Sequence, residues 1–279
     1  MKSVHGKRLT AAAALLAAAF TVAGAEAAQS AGPYTPSVGQ EGKDVIWVPT
    51  PQALVERMLT IAKVTPNDFV VDLGSGDGRT VITAAKKFGA RALGLEYNPD
   101  MVALSKRNAE KEGVADRAQF QRADIFATDF SHATVVTMYL LPSLNLKLRP
   151  TLLAMKPGTR VVSHAFTMDD WNPDQTENVE GRTAYLWIVP AKAEGQWRID
   201  MAGANPSRYD VELKQKYQML EGQARSDGQV IPVRDGKLRG DEITFSVGEK
   251  IFTGKLAGDR MEGTAKASGE VKWTATRVK

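Results

Sequence analysis

An acid opens a run of closely spaced glycines at Asp72-Leu73-Gly74-Ser75-Gly76-Asp77-Gly78, and Arg79 follows. Glycines at alternate positions let a chain adopt positive φ and bring its backbone close to a ligand. Between a strand and a helix, such a run stands where open parallel sheets bind their ligands. The spacing separates the candidate cofactors. A dinucleotide turn needs a third glycine where Arg79 stands, and Asp72 would repel an anionic pyrophosphate. A phosphate loop of the G-x-x-x-x-G-K-[ST] kind is absent as well. An acid at Asp72 suits a cationic amino group instead.

Two more acids fall into the same series. Glu96 lies 20 residues after Gly76, and a carboxylate there accepts both hydroxyls of an adenosine ribose. Asp124, followed by Ile125, stands where a carboxylate or a neighbouring amide reads an adenine edge. Taken singly, each acid is equally a helix cap or a turn residue. Taken together they fit one ligand, S-adenosylmethionine. Its amino acid part belongs at Asp72, Gly74, Ser75 and Gly76. Its ribose belongs at Glu96, beside Tyr97, and its adenine at Asp124 and Ile125.

Other chemistries find less support. With no cysteine in the chain there is no thiol nucleophile and no disulfide framework. Beyond residue 27 only His132 and His164 remain, so no zinc site is expected. His164 reads either as a base or substrate contact, or as a hydrogen-bonded structural group. No G-x-S-x-G elbow makes Ser75 a nucleophile.

The elements that must position these residues alternate. Thr50-Pro51 opens a helix with Leu54, Val55, Met58, Leu59 and Ala62 on one face. Phe69 to Leu73 reads as a strand, Val81 to Phe88 as a helix stopped by Gly89, and Arg91 to Tyr97 as a second strand. Asn98-Pro99 starts a helix to about Glu112. Strands follow at Ala118–Asp124, Ala133–Leu140 and Thr159–Phe166, with a helix from about Leu144 to Met155 interrupted at Pro150. This predicts an α/β fold: a Rossmann-like, mainly parallel sheet with helices on both faces. Ala184–Val189 and Gln196–Met201 read as a hairpin across Lys192–Gly195.

From about 205 short alternating stretches and turn pairs predict a small antiparallel β domain, either a sheet or a half-barrel. Tyr209, Tyr217, Phe245, Phe252 and Trp273 are its expected core. Lys237-Leu238-Arg239-Gly240-Asp241 echoes Lys255-Leu256-Ala257-Gly258-Asp259, which suggests two similar hairpins.

The N-terminus has its own pattern. Lys2, Lys7 and Arg8 precede an uncharged, Ala- and Leu-rich run from Leu9 to Ala25, and Ala25-Glu26-Ala27 resembles a cleavage site. Residues 1–27 are therefore expected to be a signal peptide, with 28–45 an exposed arm, 46–203 the cofactor domain and 204–279 the β domain. The protein is then exported, into a bacterial periplasm, with no stable membrane span after cleavage. The whole chain of 279 residues carries a net charge of only +4, with 24% charged and 43% hydrophobic residues, as in an ordinary globular protein. That balance does not support a nucleic-acid partner.

Residues 69–166 resemble a class I, seven-strand S-adenosylmethionine-dependent methyltransferase, whose first motif is similar to Asp72 through Gly78. A narrower resemblance spans roughly 46–190. It rests on Val48-Pro49-Thr50-Pro51, Asp72 to Arg79, Tyr139-Leu140-Leu141-Pro142 with Asn145, Leu148-Arg149-Pro150 and Lys156 to Ser163. These segments are similar to bacterial relatives of mitochondrial protein-lysine methyltransferases, including those acting on the membrane ring of ATP synthase. The resemblance implies methyl transfer to a protein lysine or, with substrate choice easily changed on this fold, to a small molecule. A non-catalytic binding module on the same fold is the alternative. The resemblance puts Tyr139, Pro142 and Asn145 on the acceptor side. Tyr139 is otherwise an amphipathic core residue. Trp47 and the Pro49-Thr50-Pro51 turn either cover the cofactor or cap the first helix.

Overall fold

A computed structural model describes residues 1, 34–202, 207–266 and 269–278. Residues 2–27 of the expected signal peptide, and residues 28–33 of the arm, lie outside the described residues.

The first half builds one sheet. Its strands are β1 (Phe69–Leu73), β2 (Arg91–Glu96), β3 (Ala118–Arg122), β4 (Val135–Met138), β5 (Arg160–His164), β6 (Gln175–Val179) and β7 (Arg182–Ile188). They lie in the order β3-β2-β1-β4-β5-β7-β6. The first five are parallel, and β7 and β6 complete one edge antiparallel. The order reverses between β1 and β4, so a crevice opens above the C-terminal end of β1.

The pleat sends alternate residues to opposite faces. Val70, Ala92, Phe120, Val135 and Val162 pack with helices α1 (Gln52–Ile61), α2 (Arg79–Phe88) and α3 (Pro99–Lys111). Val71, Leu73, Leu95, Val136, Met138 and Val161 pack with α4 (Pro142–Leu153). β1 is therefore buried on both faces, as a nearly unbroken apolar run requires. Arg160 of β5 pairs with Asp68, which also accepts a 2.7 Å hydrogen bond from Thr134 and so ties β1, β4 and β5 at their entry ends. α4 runs through Pro150 without the expected interruption.

The second half closes on itself. Strands β8 (Gly195–Met201), β9 (Arg208–Lys216), β10 (Met219–Ser226), β11 (Gln229–Arg239), β12 (Glu242–Val247), β13 (Lys250–Ala257), β14 (Arg260–Lys266) and β15 (Glu270–Arg277) form an antiparallel barrel. Closure leaves no free edge, and the domain is a full barrel instead of the sheet or half-barrel expected from the sequence. The interior is filled: Phe245 and Phe252 stack with centroids 4.9 Å apart, and Trp273 meets both edge-on. The echoed segments are the β11–β12 and β13–β14 turns, with Gly240 and Gly258 at φ of +65° and +61°.

β7 and β8 do not form a hairpin: β7 pairs with β5 and β6, whereas β8 pairs with β9 and β15. The change of sheet falls between 189 and 194, ahead of the expected boundary at 203. Tyr217 is not in the barrel core. It leaves the β9–β10 turn, stacks on Trp171 at 6.0 Å, and donates a 2.8 Å hydrogen bond to Asp170. Arg149 and Lys216 also reach Asp170, Gln218 Nε2 donates to Asn172 O, and Lys237 stands 3.5 Å from Asp174. The barrel is thus seated on the 168–174 loop by an aromatic stack inside a ring of polar contacts. Among the described residues no helix is long and apolar enough to cross a membrane.

Candidate active site

The turn after β1 is held from every side. Gly74, Gly76 and Gly78 take φ of +76°, +53° and +83°, where a side chain would be strained. Gly78 is the N-cap of α2. Ser105 Oγ donates to Gly76 O at 2.8 Å, and Asn108 Nδ2 donates to Asp77 O at 2.9 Å. Arg79 pairs with Asp77 and reaches Thr50 O at 2.9 Å. The third-glycine position that separates this turn from a dinucleotide turn therefore holds an arginine with a structural duty.

The acids converge on the same crevice. Asp72, only 6% exposed, accepts a 2.6 Å hydrogen bond from Thr137 on β4. Burial pushes its carboxyl up to about 7; the bonds from Thr137 and Thr80 oppose this, and the nearby Glu96 and Asp77 charges add to it. Glu96, ending β2, accepts from Gly76 N at 3.0 Å and from Asn98 N at 2.9 Å. Asp124 lies two residues beyond β3, in the loop rather than the strand. One of its oxygens accepts from Phe126 N and the other from Lys43 Nζ at 2.6 Å. The Lys43 hydrogen bond, then that amide, hold its carboxyl below the usual range.

These groups line one cavity of ≈ 580 Å³, within the usual size range of small-molecule sites. Asp72, Gly74, Ser75, Gly76, Glu96, Tyr97, Asp124, Ile125 and Tyr139 all stand on its wall. Sequence reasoning missed part of it. Residues 40–47 fold into a small hairpin, with Gly39 N bonded to Trp47 O, Trp47 N to Gln40 O and Gly42 N to Val45 O. This strap forms the wall opposite the glycine turn. Trp47 lies so close to Gly76 that a Cβ there would sit 2.6 Å from the indole Nε1. The arm predicted at 28–45 is, over this stretch, a structured part of the site.

The acceptor side divides. Tyr139, Leu141, Leu144 and Phe166 face the cavity. Behind Tyr139 stands His164, with ring centroids 3.8 Å apart. His164 is 2% exposed, sits 3.0 Å from Thr50 Oγ1, and is driven down to about 4 by burial and then by Arg182. It is a neutral hydrogen-bonded group, as the structural reading of it required. Pro142 and Asn145 are not among the residues that line the cavity. Pro142 is the first residue of α4. Asn145 is fully buried and spends its amide on Ser163 Oγ, Phe166 O and Thr167 O. It holds the backbone that carries Phe166, so it is a positioning residue.

The site fits S-adenosylmethionine on its own terms. An acid-lined crevice suits a ligand of net positive charge. Ser75 lines this wall, while its Oγ is buried against Gly94 without a partner among the described residues.

Comparison with known proteins agrees. The profile of the ANTKMT methyltransferase domain matches residues 72–175. A protein-lysine N-methyltransferase of Saccharolobus islandicus is 48% identical over 151 residues, 52% of this chain and 94% of that protein. The chain belongs to this methyltransferase family. The adenine nucleotide translocase lysine N-methyltransferase of Mus musculus is 32% identical over 155 residues, 55% of this chain and 62% of its own length. A crystal structure described as an RNA methyltransferase from Salinibacter ruber, in complex with S-adenosyl-L-homocysteine, is 53% identical, with a TM-score of 0.51 over 52% of this chain and 95% of its own. The protein is an S-adenosylmethionine-dependent methyltransferase of class I.

Proposed function

We propose that this methyltransferase acts on the side-chain amino group of a protein lysine, outside the cytoplasm. The observation that carries the acceptor class is the wall of Tyr139 and Phe166, stacked 6.1 Å apart beside an acid-lined cavity. Aromatic faces attract the arriving ammonium group, whereas burial in a dry channel disfavours its charged form, so the amine gives its proton to solvent before it attacks. The relatives named as protein-lysine methyltransferases support the same class. Export rests on the N-terminal pattern of residues 1–27.

S-adenosylmethionine supplies an electrophilic methyl on a sulfonium. The chain's part is to bind, align and exclude water. Asp72 takes the ammonium of the cofactor's amino acid part, beside the Gly74-Ser75-Gly76 turn. Glu96 accepts from the ribose hydroxyls. Tyr97, Asp124 and Ile125 enclose the adenine. Tyr139 lines the path of the incoming amine, which attacks in line with the leaving sulfur.

The Salinibacter neighbour's description makes RNA the second reading. The small net charge of this chain weighs against it. One experiment separates the two. The purified protein is incubated with methyl-labelled cofactor and a cell-envelope extract. Label that survives nuclease, is lost to protease, and appears as methyllysine after hydrolysis supports the proposal. Nuclease-sensitive label, or label confined to small molecules, overturns it.

A further inference from the structure

The strap is fixed at its base and pinned at its tip by contacts of very different strength. At the base, Thr50 is buried, accepts from Arg79 through its carbonyl, and meets His164 through its hydroxyl. At the tip, the side chain of Lys43 in the 42–45 turn reaches across the crevice. Lys43 Nζ lies 2.6 Å from Asp124 and 4.7 Å from the centre of the Tyr97 ring. Both partners stand at the end of the cavity where adenine belongs. The pair is about one-third exposed on each side, so it is open to solvent and salt. The cavity lies between this strap and the floor of Asp72, Gly76, Glu96 and Asp124. A ligand stretched from Asp72 to Asp124 lies along this strap.

We propose that Lys43 is the latch of this strap and sets the rate at which cofactor enters and S-adenosylhomocysteine leaves. The strap turns about Val48-Pro49, and Trp47 moves off Gly76 as it opens. Lid movements of this kind commonly limit turnover. The role goes beyond cofactor recognition: the latch raises the barrier in both directions and leaves the affinity nearly unchanged.

The test is stopped-flow fluorescence on the full chain, with S-adenosylhomocysteine as probe. That molecule has no net charge near neutral pH, so electrostatic steering does not confuse the salt dependence. In Lys43→Met, association and dissociation should both quicken by about two- to fivefold, the factor expected from an exposed ion pair of up to about 1 kcal/mol. Raising salt to ~0.5 M, where the Debye length falls to a few ångströms, should quicken exchange in the wild type and not in the variant. Lys43→Arg, which keeps the charge, should stay near the wild-type rates. Unchanged rates in Lys43→Met would overturn the proposal. So would faster dissociation without faster association, because Lys43 would then be an ordinary ligand contact.

Discussion

Thr137 on β4 lies directly across from Asp72 on β1 and donates its hydroxyl to that carboxylate at 2.6 Å. The two strands are the pair at which the sheet order reverses. A buried acid is thus held at the mouth of the crevice by a neutral partner, with no cation supplied by the described residues in direct contact. That arrangement leaves the charge of Asp72 to be answered by a ligand.

A pH dependence follows. In the free protein Asp72 has its carboxyl raised from 3.8 to about 7. Between those values the native state holds more protons than the unfolded chain. This group's contribution to stability is therefore complete below about pH 4 and is lost as pH rises through about 7. A cationic ligand favours the carboxylate. Binding of S-adenosylmethionine should release protons below pH 7 and weaken by up to about tenfold per pH unit beneath it. Calorimetry in buffers of different ionisation enthalpy reads both effects, and Asp72→Asn should abolish them.

Glu96 holds two backbone amides, those of Gly76 and Asn98, and faces the cavity as well. Hydrogen bonds to a charged group are worth about 1.5–3 kcal/mol each. Glu96→Ala should weaken cofactor binding by roughly 10- to 100-fold, while the far-UV spectrum of the folded protein stays unchanged. Equilibrium titration and circular dichroism check the two halves.

The parts of this site legible in sequence are those carried by local rules. An acid, a glycine-rich turn and a second acid at the end of the next strand each follow from strand-turn-helix chemistry, and the structure brings Asp72, Gly76 and Glu96 to one wall. The parts that are not legible depend on contacts across long stretches of chain. Lys43 meets Asp124 across 81 positions, and Thr50 meets His164 across 114. Asn145 is an expected acceptor residue through the family resemblance; the packing of α4 against the 165–168 turn shows its amide turned inward. Tyr217 looks like barrel core from its place in the strand pattern, but at φ +54° it ends β9 and points out of the barrel. Proximity in sequence joins β8 to β7, whereas closure of the barrel demands β15 as its partner.

The contact between Trp47 and Gly76 gives a further expectation. A methyl group at Gly76 would stand at φ +53° and 2.6 Å from the indole. The backbone strain costs about 1–2 kcal/mol, and the indole must move. Gly76→Ala should lower cofactor affinity at least about tenfold, since roughly 1.4 kcal/mol is a factor of ten. The emission of Trp47, measured as the difference from a Trp47→Phe background, should shift to the red. An unshifted emission would mean that the strap does not rest on the turn.

The seat of the barrel is separable from the cofactor site. Tyr217 brings a ring to Trp171 and a hydroxyl to Asp170. Tyr217→Ala removes both and should cost about 1–3 kcal/mol, as for a packed aromatic with a hydrogen bond. Thermal unfolding should fall by about 2–8 °C, and affinity for S-adenosylmethionine should hold. A matching loss of cofactor affinity would show that the barrel shapes the crevice itself.

The most direct test of the crevice from Asp72 through Glu96 to Asp124 is an isothermal titration of the full chain with S-adenosylmethionine, run beside Asp72→Ala. Saturable one-to-one binding by the wild type near pH 7.5, weakened by at least about tenfold in the variant, is the expected result. Equal binding by both proteins, or no heat at millimolar cofactor, would contradict the assignment of this cavity.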